Sequence, residues 1–207
     1  MPKPPPTAPL LIRLETPHHI VRTVERADAT ERWCKWLLDP TATRQLNARP
    51  VEMTLDQLRS YIDGFNRTTT HLLGIFDKET GVIVGIRSIY IDFAHREFYD
   101  NILIGEVQAR GKHARAESTD VVLPYFFEEL DLESSRCSIL AHNQAMIDLV
   151  ARKGWVLEHT DMKEAVSGNR RVELRHYRLR RETWRQKMRE RAAQAQAATG
   201  EPTAPQR

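Results

Sequence analysis

The spacing of apolar residues changes period along the chain, and each change predicts an element. Residues 20–24 read Ile-Val-Arg-Thr-Val, β-branched and partly alternating, which is strand character. Asp28 with Glu31 three positions on resembles a capping box. The helix it opens gathers Trp33, Trp36 and Leu37 on one face and stops near Pro40. A second helix is predicted over residues 54–65, where Leu55, Leu58, Tyr61 and Ile62 recur at helical spacing. Two strand-like runs follow, residues 72–76 and 82–90, and the short polar turn 77–81 makes them an antiparallel hairpin. A third run, residues 101–104, ends at Gly105.

Beyond a basic loop, Val121, Val122, Tyr125, Phe126 and Leu130 share a helical face. Pro124 lies inside that helix, where an unkinked proline costs roughly 3 kcal/mol, so a bend is expected. Residues 138–141 form the next strand. Asn143 can cap a helix over residues 145–153, which Gly154 stops. Two last strands are predicted around 162–166 and 172–179, joined by Ser167-Gly168-Asn169. Residues 182–198 are helical in propensity but polar nearly all round. This order of elements describes a mixed α/β domain whose neighbouring strands are mostly antiparallel. The expected organisation is a disordered Pro-rich tail at 1–9, one domain at 10–184, and a polar helix and tail at 185–207.

Composition narrows the class. Cys34 and Cys137 both sit in apolar patterns, which excludes a disulfide scaffold and reads as two reduced core residues. No apolar run is long enough for a membrane span or a signal peptide, so a cytoplasmic location is expected. His18, His19, Cys34, Cys137, His142 and His159 show no metal-ligand spacing, and no metal is expected. The formal charge of +3, from 31 basic and 28 acidic side chains, suits an anionic ligand without demanding nucleic acid. The arginine-rich stretch 175–191, with Tyr177 and Trp184, leaves open an RNA- or ribosome-associated binding role, although Glu182 and Glu190 interrupt it.

The stretch that carries chemistry is I-L-I-G-E-V-Q-A-R-G-K-H-A-R-A-E, residues 102–117. A strand enters a glycine-containing loop that opens a helix, and the first turn of a helix offers unpaired N–H groups and partial positive charge. Gly111 lets an anion approach the backbone, while Arg110, Lys112 and Arg115 add positive side chains. A P-loop does not fit, because Gly105 lies six positions before Gly111 and His113 replaces the hydroxyl residue. The dinucleotide fingerprint is absent.

Q-A-R-G-K-H, Gln108 to His113, resembles the pyrophosphate motif Q/R-x-x-G-x-G/A of the GNAT acetyltransferases, with His113 in place of the last Gly or Ala. Ile104-Gly105-Glu106 resembles the I-G-D/E that ends the preceding strand in many members. Residues 143–155 resemble the family's N-x-x-A-I-x-L-Y-E-K-L-G-F, with Val150 at the tyrosine position and Trp155 for the final Phe. Residues 14–22 and 168–184 resemble the opening and closing segments of the ribosomal-protein alanine N-acetyltransferase branch.

The resemblance, covering about residues 14–184, implies a GNAT fold: a mixed, mostly antiparallel sheet of six to seven strands, flanked by helices, with a V-shaped splay between its central strands. It implies transfer of acetyl from acetyl-CoA, by direct attack, to a primary amine such as a protein N-terminus, an amino sugar, a polyamine or another small amine. Ile104, Gly105 and Glu106 would meet the acetyl carbonyl and pantetheine. Gln108, Arg110, Gly111, Lys112, His113, Ala114 and Arg115 would hold the pyrophosphate, and Asn143 the cofactor arm. Glu106 is the first candidate base. Glu97 and Asp100 read as surface carboxylates able to act through water. Val150 removes the usual acid, leaving Ser138, water, or His142, which could serve as acid or base. The acceptor pocket would be built by residues 32–65 and 165–171, where Arg44, Arg49 and Arg59 disfavour a polyamine. A degenerate domain that only binds CoA or a partner is the alternative, and a homodimer through the terminal strands or tail is compatible with the pattern.

Overall fold

Alternating and continuous apolar runs build one eight-stranded sheet: β1 (Arg13–Glu15), β2 (His19–Thr23), β3 (Thr70–Asp77), β4 (Ile83–Asp92), β5 (Glu97–Ile104), β6 (Ser134–Leu140), β7 (Val156–Glu164) and β8 (Arg171–Arg180). Their order across the sheet is β1-β2-β3-β4-β5-β6-β8-β7. The computed structural model describes residues 3–41, 46, 50–110, 113–164 and 171–199. Gly111, Lys112, Arg44, Arg49, the turn at Ser167-Gly168-Asn169 and the tail beyond 199 lie outside the described residues. The strand the sequence pattern missed is β1. Its three residues are too few to show alternation, and only pairing with β2, Arg13↔Arg22 to Glu15↔Ile20, defines it.

Helices cover both faces. On one face α1 (Glu31–Cys34), the 3-10 turn after it and α2 (Leu55–Asp63) bury Trp33, Trp36, Leu58 and Ile62 against Leu72, Phe76 and Ile86. On the other, α3 (Ala114–Pro124) and α4 (Gln144–Arg152) pack over a larger core that includes Leu73, Ile75, Phe98, Phe126 and Leu179. Coverage on both faces explains why β3 reads as a continuous apolar run instead of an alternation. Thr54, not a residue inside the run, starts α2: its hydroxyl accepts from Gln57 N at 3.2 Å, and Gln57 Oε1 accepts from Thr54 N at 2.9 Å. The cap of α1 is Thr30, two residues later than Asp28.

The bend expected at Pro124 takes a specific form. The α3 helix widens there into a π-turn, Tyr125–Glu129, closed by Leu130 N donating to Tyr125 O at 3.3 Å. The last helix, α5 (Arg181–Thr199), is polar and docks through Trp184, whose ring lies 5.4 Å from that of Phe127. No helix among the described residues is long and apolar enough to cross a membrane.

Candidate active site

β5 and β6 are the sheet's parallel neighbours, joined by a crossover through α3. They pair at Glu97↔Ser134, Phe98↔Ser135 and Tyr99↔Arg136, and then part. Beyond that point β5 is held by β4 as far as Gly85↔Ile104, and β6 by β8 as far as Leu140↔Leu174. A cleft of about 160 Å³ opens between them, lined by Asp100 through Ile104 on one side and Cys137 through Ile139 on the other. Backbone donors and acceptors along these inner edges lack a strand partner, so an amide-bearing chain can lie there as an extra strand.

The crossover also brings the start of α3 to the cleft's mouth. Arg115, in its first turn, lines the cleft together with Arg110, Asn143 and Met146. Arg115 is half-buried and donates to Met146 Sδ at 2.6 Å, and no carboxylate among the described residues pairs with it. Burial, aided by nearby Arg87, pushes its guanidinium below the usual value. A cation so placed, at a helix N-terminus, is suited to an anion. Arg110 is otherwise engaged: it donates to Ile104 O at 3.1 Å and Gly105 O at 2.8 Å and pairs with Asp39, clamping the end of β5. Asn143 caps α4 through Oδ1, which accepts from Met146 N at 3.3 Å.

Several expected site residues lie elsewhere. Glu106 accepts from Arg32 Nε at 2.6 Å, from Arg32 Nη2 at 2.5 Å and from Trp36 Nε1 at 2.9 Å. Arg32 above all holds its carboxyl below the usual range, against the opposing effect of burial. With Gln108 and His113 it lines a separate cavity of about 360 Å³ beside His18 and His19. The His113 ring stacks on His18, centroids 5.1 Å apart, and does not line the β5–β6 cleft. The amides of Gly105 and Glu106 both donate to Val84 O, at 3.0 and 3.1 Å. Ala114 is buried in the core, and His142 is exposed outside the cleft lining. Gly105 is required where it stands, since a Cβ there would sit 1.9 Å from Trp36 Cδ2.

Glu97 and Asp100 are not surface carboxylates; both are buried. Asp100 accepts from Arg87 Nε at 3.1 Å, and Arg87 Nη1 donates to Ser118 Oγ at 2.9 Å and Thr119 Oγ1 at 3.1 Å, so the carboxylate is held by a buried partner beneath the cleft. Glu97 meets Arg136 at 3.1 Å and Arg178 at 3.6 Å. Burial pushes the Cys137 thiol well up, which leaves it inert as a nucleophile. Val150 is buried, and no hydroxyl replaces the tyrosine there.

Linear spacing concealed one further group. Ser138 lines the cleft, and its Oγ lies 2.9 Å from His176 Nδ1 on β8, while His176 Nε2 lies 3.2 Å from Asp161 Oδ2 on β7. Only the cross-strand registers Ser138↔His176 and His159↔His176 bring them together. His159, Asp161 and His176 offer ligand atoms within 4.8 Å of one another. The two rings, however, lie face to face at 4.3 Å and 8°, so their in-plane lone pairs run parallel and do not meet at one point. The C-terminal arginines are largely spent on the chain's own carboxylates, among them Arg178 with Glu158, Arg181 with Asp131 and Arg185 with Glu128.

Residues 18–156 match the model of an acetyltransferase (GNAT) domain family. No curated protein matches the chain. Among solved structures, a GNAT-family acetyltransferase from Bacillus anthracis superposes with a TM-score of 0.68 at 14% identity, covering 83% of this chain and 99% of that one. A GCN5-related N-acetyltransferase from Brucella melitensis gives 0.70 at 14% identity, covering 87% and 83%. Spermidine N-acetyltransferase from Vibrio cholerae, in complex with CoA and spermine, gives 0.71 at 18% identity, covering 82% and 99%.

Proposed function

Because the chain belongs to the GNAT acetyltransferase family, we propose that it transfers the acetyl group of acetyl-CoA to a primary amine by direct attack on the thioester. The observation that carries this reading is the parting of β5 from β6 beneath the unpaired Arg115. Pantetheine would lie along the free strand edges, with its amides replacing the missing pairing. The diphosphate would meet Arg115 and the first turn of α3. Met146 and the amide nitrogen of Asn143, which has no partner among the described residues, would flank the arm.

The ammonium sheds one proton to solvent and the free amine attacks the carbonyl carbon; the C–N bond forms as the C–S bond breaks, and the nitrogen releases its second proton to solvent. Positioning in the cleft supplies much of the rate. The departing sulfur keeps the bonding pair and needs a proton. The group best placed to return it is the Ser138 hydroxyl, passing a proton between the cleft and His176 Nδ1. Glu106, ion-paired with Arg32, fits a supporting role better than that of a base, and exposed His142 stands outside the chemistry.

Calorimetry with acetyl-CoA, followed by a free-thiol assay over a panel of amines, tests the reading. Binding with turnover is expected. No binding of CoA or acetyl-CoA would refute it, and binding without turnover on any amine would make the chain a binding-only relative.

A further inference from the structure

Resting on the acetyl-transfer reading, we infer that the acceptor is a small amine carried on an apolar, preferably aromatic, group, and not a polyamine. A second pocket of about 230 Å³ opens from the α1–α2 face onto the donor cleft. The two share Leu46, Asn101, Ile102 and Leu103 in their linings. The pocket therefore reaches the same stretch of β5 where the thioester would lie, from the side that pantetheine does not occupy.

Its walls are Trp33, Leu37, Met53, Leu58 and Ile86, and its polar contributions come from Ser88, Asn101 and Tyr61. Burial pushes the Tyr61 phenol up to about 12, so it stays neutral and serves as a hydrogen-bonding group. No charged side chain among the described residues lines this pocket.

A polycation would have to leave its distal ammonium groups unpaired in apolar surroundings, which is strongly unfavourable. An apolar tail meets no such obstacle. A dry cavity of about 150 Å³ suffices for benzene, so this pocket has room for a phenyl ring with a short alkyl arm. Each methylene transferred into it is worth about fourfold in affinity.

Bisubstrate analogues separate this inference from the reading beneath it, because they report acceptor binding without turnover. CoA would be joined through an acetyl bridge to phenethylamine in one analogue and to spermidine in another, and both compared with CoA by calorimetry. The phenethyl analogue is expected to bind at least tenfold more tightly than CoA, and the spermidine analogue no more than twofold. In Met53→Trp, which fills the pocket, the phenethyl gain is expected to vanish while CoA affinity and the melting temperature hold. Equal gains from the two tails, a larger gain from spermidine, or a phenethyl gain that survives Met53→Trp would overturn the acceptor class. A chain that binds neither CoA nor either analogue would instead sink the transferase reading itself.

Discussion

Replacing Arg115 by leucine separates what this side chain costs the free protein from what it gives a ligand. In the free chain its guanidinium is half-buried, its hydrogen-bond partner is a thioether sulfur at 2.6 Å, and burial presses its pKa down. Leucine removes a poorly solvated charge and keeps an apolar stem. The free variant is therefore expected to be more stable by about 1 kcal/mol, which for a chain of this size raises the melting temperature by roughly 2–4 °C. Affinity for CoA moves the other way. A hydrogen bond between charged groups contributes about 1.5–3 kcal/mol, so its loss weakens binding by roughly 10- to 150-fold. Pantetheine, which has no diphosphate, supplies the internal control and is expected to lose less than twofold. Scanning calorimetry of the free proteins and titration with both ligands give all the required numbers. A CoA affinity reduced by less than threefold, or a loss matched by pantetheine, would show that Arg115 does not face the diphosphate.

Three other outcomes follow from contacts already described. Glu117 accepts from Thr16 Oγ1 and meets His18 and His19; burial would raise its pKa, but these bonds outweigh it and bring it from 4.5 to about 2. Because the folded value is the lower one, this stabilisation, about 3 kcal/mol, is complete above pH 4.5 and disappears as pH falls toward 2. Urea unfolding at pH 7 and pH 3 should show a steeper loss in the wild type than in Glu117→Gln; equal slopes would contradict it. Gly105→Ala drives a Cβ into the Trp36 ring and displaces it from Glu106, costing about 1–3 kcal/mol. A lowered melting point with altered near-UV circular dichroism is the expected sign, and an unchanged spectrum would count against it. Ser138→Ala should lower kcat at least tenfold while leaving the acetyl-CoA dissociation constant unchanged, and an intact kcat would remove Ser138 from the proton path.

The helix stops and strand runs were legible because they depend on local chemistry. Thr54 with Gln57, Pro124, and Gly154 at a φ of +89° each announce themselves within a few residues. The passage from β5 to α3 was equally local, a strand and a helix in one continuous stretch. What could not be read were contacts made across the sheet. Ser138, Asp161 and His176 sit on three strands, and nothing in their sequence spacing reports a shared register. Glu106 has a partner its sequence position does not announce, since Arg32 lies 74 residues earlier in the chain. Asp100 and Glu97 looked exposed because charged residues usually are. Their arginines, Arg87 and Arg136, make burial tolerable, and neither pairing has a signature in the linear pattern.

The join between Glu97–Tyr99 and Ser134–Arg136 is only three residue pairs long. On either side of it stands a leaf paired within itself up to the open edge, five strands in one and three in the other. A ligand laid along the opened edges, as proposed, would act as thread in that binding, and its concentration would then set how much of the chain stays folded.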